Sequence, residues 1–574
     1  MSAAQRQEKD EIDAECKFID LVHYCRDNRI HFVDDSFIPS TCSINSDSTN
    51  PSTYEWLRIR DISSSQNDSE IPWTVMSNPH PNDIEQGALG NCWFMAALSL
   101  ITERPRMLSH ILLTSTVNEE GIYLVRICHN GWWKIVILDD CFPCTASKQL
   151  VYAKARRRQL FVPLVEKACA KVWGSYASVI GGFMTESLQL LTGAPSEQIA
   201  IQTSTDDDDD NFDLLWTKII SACTANLLMG ADTPNTNVPD EEYTRIHLAK
   251  NHVFSVLAYY VSSQTERFLF IRNPHGSSKY TDDSISTKIR EELHSTKQAE
   301  AANGTFWMSW IAFQKYFGRL TICAYRDDLF DVRFEGEFTR HAAQTIQSYY
   351  FRLERSSTIT VGLFHQHSNR QQHNIHHTQA FVLCDIANNQ IGQQRTFLCG
   401  IRSKYNEWTE TLSAGAYILI PFSTSYWHQE RKQDDEIKYT LVIHSLIQLD
   451  VMATEDLGKV LADCLIAYAM QHHKNALRFI VGENMSTTGT FNVTINTSTS
   501  LNIRHSRNSM ITFDSIPTQH RQLHCLCEYI SVENQSAKVK YTWSYTHTNA
   551  EQRTSEPTIN RADDIHAPRP ILLQ

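Results

Sequence analysis

A glycine-containing turn leads directly into a helix-length apolar segment around residue 92. The sequence from Gln86 to Leu98 reads QGALGNCWFMAAL, and apolar residues continue to Ile101. Because so few of these positions are polar, the segment predicts a helix that is buried on nearly all sides. A helix of this kind requires a hydrophobic core around it. The turn places Cys92 at the helix N-terminus, where the helix dipole is expected to favour a thiolate and to lower the pKa of the thiol.

The size and composition of the chain supply material for more than one core. The chain has 574 residues, of which 42% are apolar, and this length predicts roughly three to five domains. The net charge of −13 disfavours a nucleic-acid partner. The 15 cysteines are scattered along a long chain, which favours reduced thiols. With a charged N-terminus and no membrane-length apolar run, the sequence predicts a soluble, cytoplasmic protein without a transmembrane segment.

Two downstream residues are candidates for activating the cysteine. His252 opens the apolar strand NHVFSVLAYY, and Asn273 closes the next strand, FLFIRNPHG. Neighbouring strand ends would bring the imidazole and the amide together, so that one ring nitrogen bonds to the amide and the other faces Cys92. The side chain of Gln86 can place an N–H beside the Cys92 backbone N–H, which forms the two-donor oxyanion hole of acyl transfer.

Further motifs, in order along the chain, resemble the calpains, which are intracellular papain-like cysteine proteases usually regulated by calcium. The motifs are FVDDSFIPS, QGALGNCWF, GIYLVRI, LVEKACAKVWGSY, GGFMTESLQLLTGA, NHVFSV, RNPHG and FWMSWIAF, ending near Cys323. The segments LITERPRM, LTGAPSE, PTQHRQL and HAPRP are most similar to the small-optic-lobes subfamily. The zinc-finger array that precedes the core in that subfamily has no counterpart in this sequence.

The resemblance implies an α+β fold with a papain-like protease core in two subdomains. A calpain-type β-sandwich and a smaller C-terminal domain of mixed α and β structure are expected to follow. Period-two apolar stretches after the core also favour an antiparallel sandwich. The predicted divisions are an N-terminal lead-in, the nucleophile subdomain, the His/Asn subdomain, the sandwich, and the C-terminal domain with a flexible tail: residues 1–70, 71–200, 201–326, 327–450 and 451–574.

The resemblance also implies a calcium site and a gate residue. Asp83 and Glu186 match carboxylate ligands of the first calcium site of the family core, and oxygen ligands suit Ca²⁺. For the second site, Lys279, Asn303 and Thr305 stand where the family has acidic ligands, which predicts that this site is lost or weak. His275 occupies the position of the tryptophan that gates conventional calpains. An organic cofactor is not expected.

The predicted function is limited proteolysis of protein substrates by Cys92, His252 and Asn273. The C-terminal domains are expected to contact protein partners or membranes, and without an EF-hand signature no penta-EF-hand subunit is expected. A catalytically silent scaffold is the alternative from another class. A thiol transglutaminase is a weaker alternative, since those enzymes typically use Asp at the position of Asn273.

Three further clusters are interpreted as structural. The basic run KARRR at 154–158 is expected to form a solvated face. Cys141 and Cys144 are expected to be structural thiols, and the five histidines from His365 to His377 to lie in a polar surface loop.

Overall fold

The structure is a computed structural model that divides into two compact units, residues 1–329 and most of residues 330–574. It describes the following residues: 1–45, 54–63, 68, 71–201, 208–233, 238–274, 278–282, 284–296, 304–339, 345–365, 379–388, 390–401, 405–424, 438–456, 458–471, 477–507, 509–529, 538–548 and 565–571. His275 and Asn303 lie outside the described residues, as do the histidines after His365. None of the helices within the described ranges combines the length and the apolar character that a membrane crossing requires.

The first unit consists of helices and short sheets. Its α-helices are α1 (Ala3–Asn28), α2 (Thr41–Ile44), α3 (Cys92–Thr102), α4 (Pro105–Ile111), α5 (Phe161–Val172), α6 (Met184–Thr192), α7 (Asp208–Thr224), α8 (Asp240–Arg245), α9 (Thr287–His294) and α10 (Trp310–Tyr316). Its strands are β1 (Glu55–Arg58), β2 (Ile84–Glu85), β3 (Ile122–His129), β4 (Trp132–Asp139), β5 (Cys141–Cys144), β6 (Lys154–Ala155), β7 (Ser196–Ala200), β8 (Leu228–Thr233), β9 (His252–Val261), β10 (Arg267–Arg272), β11 (Thr305–Ser309) and β12 (Arg319–Cys323). Short 3₁₀ turns cover Ile59–Asp61, Pro81–Asp83 and Ala177–Val179.

The N-terminal segment is more ordered than an irregular lead-in. Helix α1 begins with a capping box, in which the Ser2 hydroxyl accepts from the Gln5 backbone and the Gln5 side chain accepts from the Ser2 N–H. Its buried residues pack against Ile122 and Leu124 of β3. The lead-in is therefore part of the first unit, and its first helix spans 26 residues.

Helix α3 is buried, as its composition predicts. Every residue from Trp93 to Thr102 is buried, and Phe94, Met95 and Ala96 have no exposed surface. Burial of so many apolar side chains anchors the helix in the core of the unit. The alternation of apolar and polar residues on both sides of Asn130 and Gly131 predicts a hairpin, and the structure has it. Strands β3 and β4 pair in antiparallel register, and Asn130 and Gly131 both adopt the positive φ of a type I′ turn.

A six-stranded antiparallel sheet carries the second group of candidate residues. Its strand order is β11-β10-β9-β8-β12-β7. Strands β9 and β10 are adjacent, and Arg272 at the end of β10 lies opposite Ser255 near the start of β9. His252 is the first residue of β9, and Asn273 directly follows β10. The two residues therefore lie at the same end of these neighbouring strands, as the sequence predicts.

The second unit is rich in strands. It contains β13 (Phe330–Glu337), β14 (Ile346–Leu353), β15 (Ser357–His365), β16 (Gln379–Ala387), β17 (Gln390–Ile401), β18 (Tyr405–Leu412), β19 (Gly415–Phe422), β20 (Lys438–Ser445), β21 (Val451–Asp456), α11 (Gly458–Gln471), β22 (Leu477–Asn484), β23 (Thr490–Asn496), β24 (Ile503–His505), β25 (Ile511–Ile516), β26 (His520–Tyr529), β27 (Thr542–Thr548) and β28 (Arg569–Pro570).

Two antiparallel sheets form a sandwich in this unit. The four-stranded sheet has the order β13-β20-β15-β18 and the five-stranded sheet the order β17-β16-β19-β14-β21. Val361 and Leu441 of the first sheet share one buried cluster with Leu383 and Leu419 of the second, as expected for facing sheets. On the other face of the five-stranded sheet, α11 packs in a separate cluster.

The remaining strands form two small sheets after α11. One has the order β22-β26-β24, with β28 also paired to β26, and the other the order β25-β23-β27. Ile565, just before β28, is fully buried. Residues 565–571 are thus part of the fold, in contrast to the flexible tail that the sequence predicts for this region.

Candidate active site

Cys92 is the first residue of α3 and is partly buried. Burial raises the pKa of its thiol, although backbone N–H groups of Val253, Trp93 and Cys92 itself lie beside the sulfur and lower it. The negative charge of Asp232 adds to the rise. The N–H groups at the helix N-terminus thus lower the pKa of the thiol, as expected, but loss of solvent outweighs them and the net direction is a rise.

The side chains of His252 and Asn273 are in contact where β9 begins and β10 ends. The Nε2 atom of His252 is 2.9 Å from Oδ1 of Asn273. Since an amide oxygen accepts, this contact places the ring proton on Nε2 and leaves Nδ1 as a base. The ring packs edge-on against Phe254, and the backbone N–H of His252 donates to the Thr233 hydroxyl at 3.2 Å. Val253 follows His252, and its backbone N–H lies beside the Cys92 sulfur. The start of β9 is therefore adjacent to the N-terminus of α3.

Gln86 lies on the loop that leads to Cys92. Its Nε2 donates to the Leu89 carbonyl at 2.7 Å, which uses one of the two N–H groups of the amide. The second N–H can point toward a developing oxyanion. The next residue must be glycine, because a Cβ on Gly87 would approach the Tyr152 backbone to 2.3 Å. The loop is thus held close to its neighbours, and the side chain of Gln86 is fixed by its own turn.

A buried carboxyl group lies behind the nucleophile, and no sequence signal indicated it. Asn91 donates through Nδ2 to Oε1 of Glu166 at 2.7 Å, and the Ala153 backbone donates to Oε2 at 3.0 Å. Glu166 is only 1% exposed. Burial raises its pKa to about 7, against the two hydrogen bonds, which lower it. Asn91 precedes Cys92, so this contact connects a group that titrates near neutral pH to the start of α3.

A buried ion pair joins Asp139 to Lys167, which lies next to Glu166 in the sequence. The Lys167 ammonium group, on α5 beside Glu166, is 2.5 Å from a carboxylate oxygen of Asp139, and both side chains are fully buried. The ammonium group also donates to the Asp139 and Cys141 carbonyl oxygens at 3.0 and 2.8 Å. Burial alone would raise the pKa of Asp139, but the Lys167 charge and hydrogen bond hold it below its usual value. Every donor of the ammonium group is therefore satisfied, as a buried charge requires.

The predicted calcium ligands do not present a free carboxylate pair. Asp83 is buried, and one of its carboxylate oxygens accepts from the His80 N–H at 2.9 Å and from Gln159 at 3.1 Å. The same oxygen forms an ion pair with the Arg157 guanidinium. That guanidinium also donates to the Asn78 carbonyl at 2.9 Å. A cationic side chain already neutralises Asp83, so this donor set does not fit a calcium ion as it stands.

The other calcium residues are placed as follows. Glu186 lies in the first turn of α6 and is half-buried. Lys279 is exposed, and Thr305 begins β11 opposite Arg272. The loss of the second calcium site remains a prediction. The basic run at 154–158 is not simply a solvated face, since Arg157 is bound to Asp83.

A cavity of about 670 Å³ opens beside Asn273. Its lining includes Tyr243, Lys250 and Lys279. The lining also includes Asp240, which forms an ion pair with Lys250, so side chains of both charges lie along the space beside Asn273.

The fold defines the class of protein, a papain-like cysteine protease. The chain belongs to the calpain family: the model of the calpain family of cysteine proteases matches residues 32–324, just over half of the chain. A second model, described as the calpain-D-like C-terminal domain, matches residues 455–553. This family membership supports hydrolysis of peptide bonds by a thiol protease.

Several curated relatives are similar over the protease core. A calpain-type cysteine protease of Oryza sativa subsp. japonica is 30% identical over 56% of this chain and 15% of its own length. Calpain-5 of Caenorhabditis elegans is 26% identical over 52% of this chain and 51% of its own length. The calpain-1 catalytic subunit of Rattus norvegicus is 29% identical over 52% and 42%, respectively. The chain thus spans from about one seventh to one half of the length of these relatives.

Proposed function

We propose that this protein is a cytoplasmic calpain-type endopeptidase that performs limited proteolysis of protein substrates through Cys92, His252 and Asn273. The observation that carries the proposal is the 2.9 Å contact between His252 Nε2 and Asn273 Oδ1, together with the Val253 N–H beside the Cys92 sulfur. The first contact orients the imidazole, and the second places the Cys92 sulfur beside the residue that follows His252, which supports His252 as the base for this thiol.

The chemical steps follow from the proton positions. His252 Nδ1 accepts the proton of the Cys92 thiol, and the thiolate attacks a substrate carbonyl carbon. The Cys92 backbone N–H and the free N–H of Gln86 stabilise the oxyanion. His252 then protonates the leaving amine, and water hydrolyses the thioester. Burial raises the pKa of Cys92, which disfavours a thiolate that forms without a base.

The finer assignment is the small-optic-lobes subfamily, and it is supported by the motifs LITERPRM and HAPRP. The domains after the core are proposed to position protein partners or membrane surfaces. No penta-EF-hand subunit and no organic cofactor are part of this proposal. Regulation by calcium at Asp83 and Glu186 would first require Arg157 to leave the Asp83 carboxylate.

A catalytically silent scaffold is the second candidate. Two observations favour it: the raised pKa of Cys92 and the occupation of Asp83 by Arg157. Both describe a core that is folded but not fully assembled for catalysis. The C-terminal domains would then carry the function by binding partners.

Cleavage of fluorescent casein by the full chain tests the proposal, with Cys92→Ala as the blank and with either millimolar calcium or a chelator present. We expect cleavage above the blank in at least one condition. A peptidyl epoxide that labels Cys92 in the native chain, but not in Cys92→Ser, separates a narrow substrate range from a silent site. Absence of both cleavage and labelling would establish the scaffold instead.

A further inference from the structure

Three potential metal ligands converge on one face of the small sheet formed by β22, β26, β24 and β28. Strand β24 pairs with β26 so that His505 lies directly opposite Cys527. Residues that face each other in an antiparallel pair project to the same side, and so do residues two apart in one strand. Cys525 therefore projects to that side as well. The backbone register alone brings the imidazole and both thiols together.

The spacing of the ligand atoms suits a small tetrahedral metal ion. The two sulfur atoms are 3.9 Å apart. The ligand atoms of His505, Cys525 and Cys527 all lie within 4.8 Å of one another. A zinc ion with bonds of about 2.3 Å to sulfur spaces two tetrahedral sulfur ligands roughly 3.8 Å apart. Nδ1 of His505 accepts from the Arg507 backbone N–H at 3.3 Å, and the distances that involve the imidazole would shorten when the ion binds.

The surroundings of the two thiols favour a bound cation over two separate side chains. Both cysteines are fully buried and belong to a cluster with Ile480, Ile503 and Val539. In this apolar setting, one divalent cation can balance the charges of two thiolates and replace their weak sulfur–sulfur contact.

Isolated buried thiols provide the internal comparison. Cys384 is also fully buried in the second unit, yet within the described ranges only His505, Cys525 and Cys527 form a group of three metal-ligating side chains with this spacing. Buried cysteines therefore also occur elsewhere in this unit. Within the described ranges, only those on β26 lie beside a second thiol and an imidazole.

We propose that His505, Cys525 and Cys527 bind a zinc ion. Thiolate and imidazole are ligands that zinc prefers. The three side chains would leave one position of a tetrahedral zinc ion for a water molecule. The ion would connect β24 to β26 and stabilise the C-terminal domain. This proposal is independent of proteolysis, because the site belongs to a different unit from Cys92.

Metal analysis of the full chain tests the site in a Cys92→Ala background, which removes the reactive thiol of the core. We expect one tightly bound zinc ion per chain. Cys525→Ala and Cys527→Ala should each weaken zinc binding by at least about tenfold, since loss of a ligand costs no less than loss of a group that orients one. Cys384→Ala, a matched buried cysteine, should retain the ion. Equal zinc content in all four proteins would overturn the proposal.

Two measurements on the Cys92→Ala chain itself avoid the risk that a cysteine variant fails to fold. Cobalt added to metal-free protein should produce thiolate-to-cobalt absorption in the near ultraviolet, and zinc should abolish it. Zinc should also protect Cys525 and Cys527 from alkylation, as read by peptide mapping, without protecting Cys384. Alkylation that zinc does not change, or a disulfide between Cys525 and Cys527 in the purified chain, would contradict a zinc site.

Discussion

The two sides of the candidate active site are built in different ways. On the imidazole side, the register of β9 and β10 sets the positions of His252 and Asn273, so backbone pairing alone brings them together. On the thiol side, Asn91, the residue before α3, donates to Glu166, a buried carboxyl group from a distant part of the chain. The neighbour of Glu166, Lys167, forms a buried ion pair with Asp139. Substitutions on the imidazole side should therefore lower the catalytic rate without changing the free energy of unfolding. Substitutions on the thiol side should lower the free energy of unfolding, and activity should fall as a consequence.

The largest effect is expected at the imidazole. His252→Ala should lower kcat/KM for casein by at least about 10⁴-fold, because it removes the base that takes the Cys92 proton. The free energy of unfolding should change far less than the activity, since the strand register persists. Steady-state kinetics and urea denaturation of the same preparations measure the two quantities. A proportionate loss of both would show that the imidazole side is also a structural element.

Asn273→Ala should lower activity less than His252→Ala does. It removes the acceptor 2.9 Å from His252 Nε2 but leaves the base in place. We expect an intermediate loss of kcat with little change in KM, because orientation of the ring contributes in the transition state. An Asn273→Ala enzyme as active as the native chain would remove this residue from the proposed machinery.

The thiol side should respond in stability. Lys167→Met leaves the Asp139 carboxylate buried without its ammonium partner, which typically costs about 3–5 kcal/mol of unfolding free energy. Lys218→Met is the matched control, because Lys218 forms an ion pair with Glu197 in which both side chains are about half exposed. That control should lose no more than about 1 kcal/mol. Equal effects in urea denaturation would mean that burial of the first pair has no special role.

The same contrast explains what could be predicted from the sequence. The burial of α3, the turn at Asn130 and Gly131 and the meeting of His252 with Asn273 follow from local patterns or from strand order, and the structure has all three. The contact of Asn91 with Glu166 and that of Asp83 with Arg157 join residues 75 and 74 positions apart. Periodicity carries no information about such partners. The raised pKa of Cys92 was missed for the same reason, since it depends on the depth of burial.

Glu166 gives the thiol side a pH dependence. The pKa of this carboxyl is raised from 4.5 to about 7 in the folded protein, so the folded state binds the proton more tightly than the unfolded state. The resulting stability is fully present below pH 4.5 and is lost as the pH rises through 7, by up to about 3 kcal/mol. Glu166→Gln imitates the protonated form and should flatten this profile. Urea denaturation from pH 5 to 8 measures it, and parallel profiles for the two proteins would contradict the assignment.

The smallest effect is expected at Arg157, and it tests whether this guanidinium takes the place of a divalent cation. Arg157→Met should cost about 1 kcal/mol of stability in chelator, because Arg157 is partly exposed. It should also free Asp83, so that millimolar calcium raises the Tm of the variant more than that of the native chain. Arg156→Met, which removes a partner of Glu85 instead, is the matched control and should not gain this response. If the native chain and Arg157→Met show the same calcium-dependent rise in Tm, calcium does not compete with Arg157 for Asp83, and the ion acts at another place on the thiol side or elsewhere in the chain.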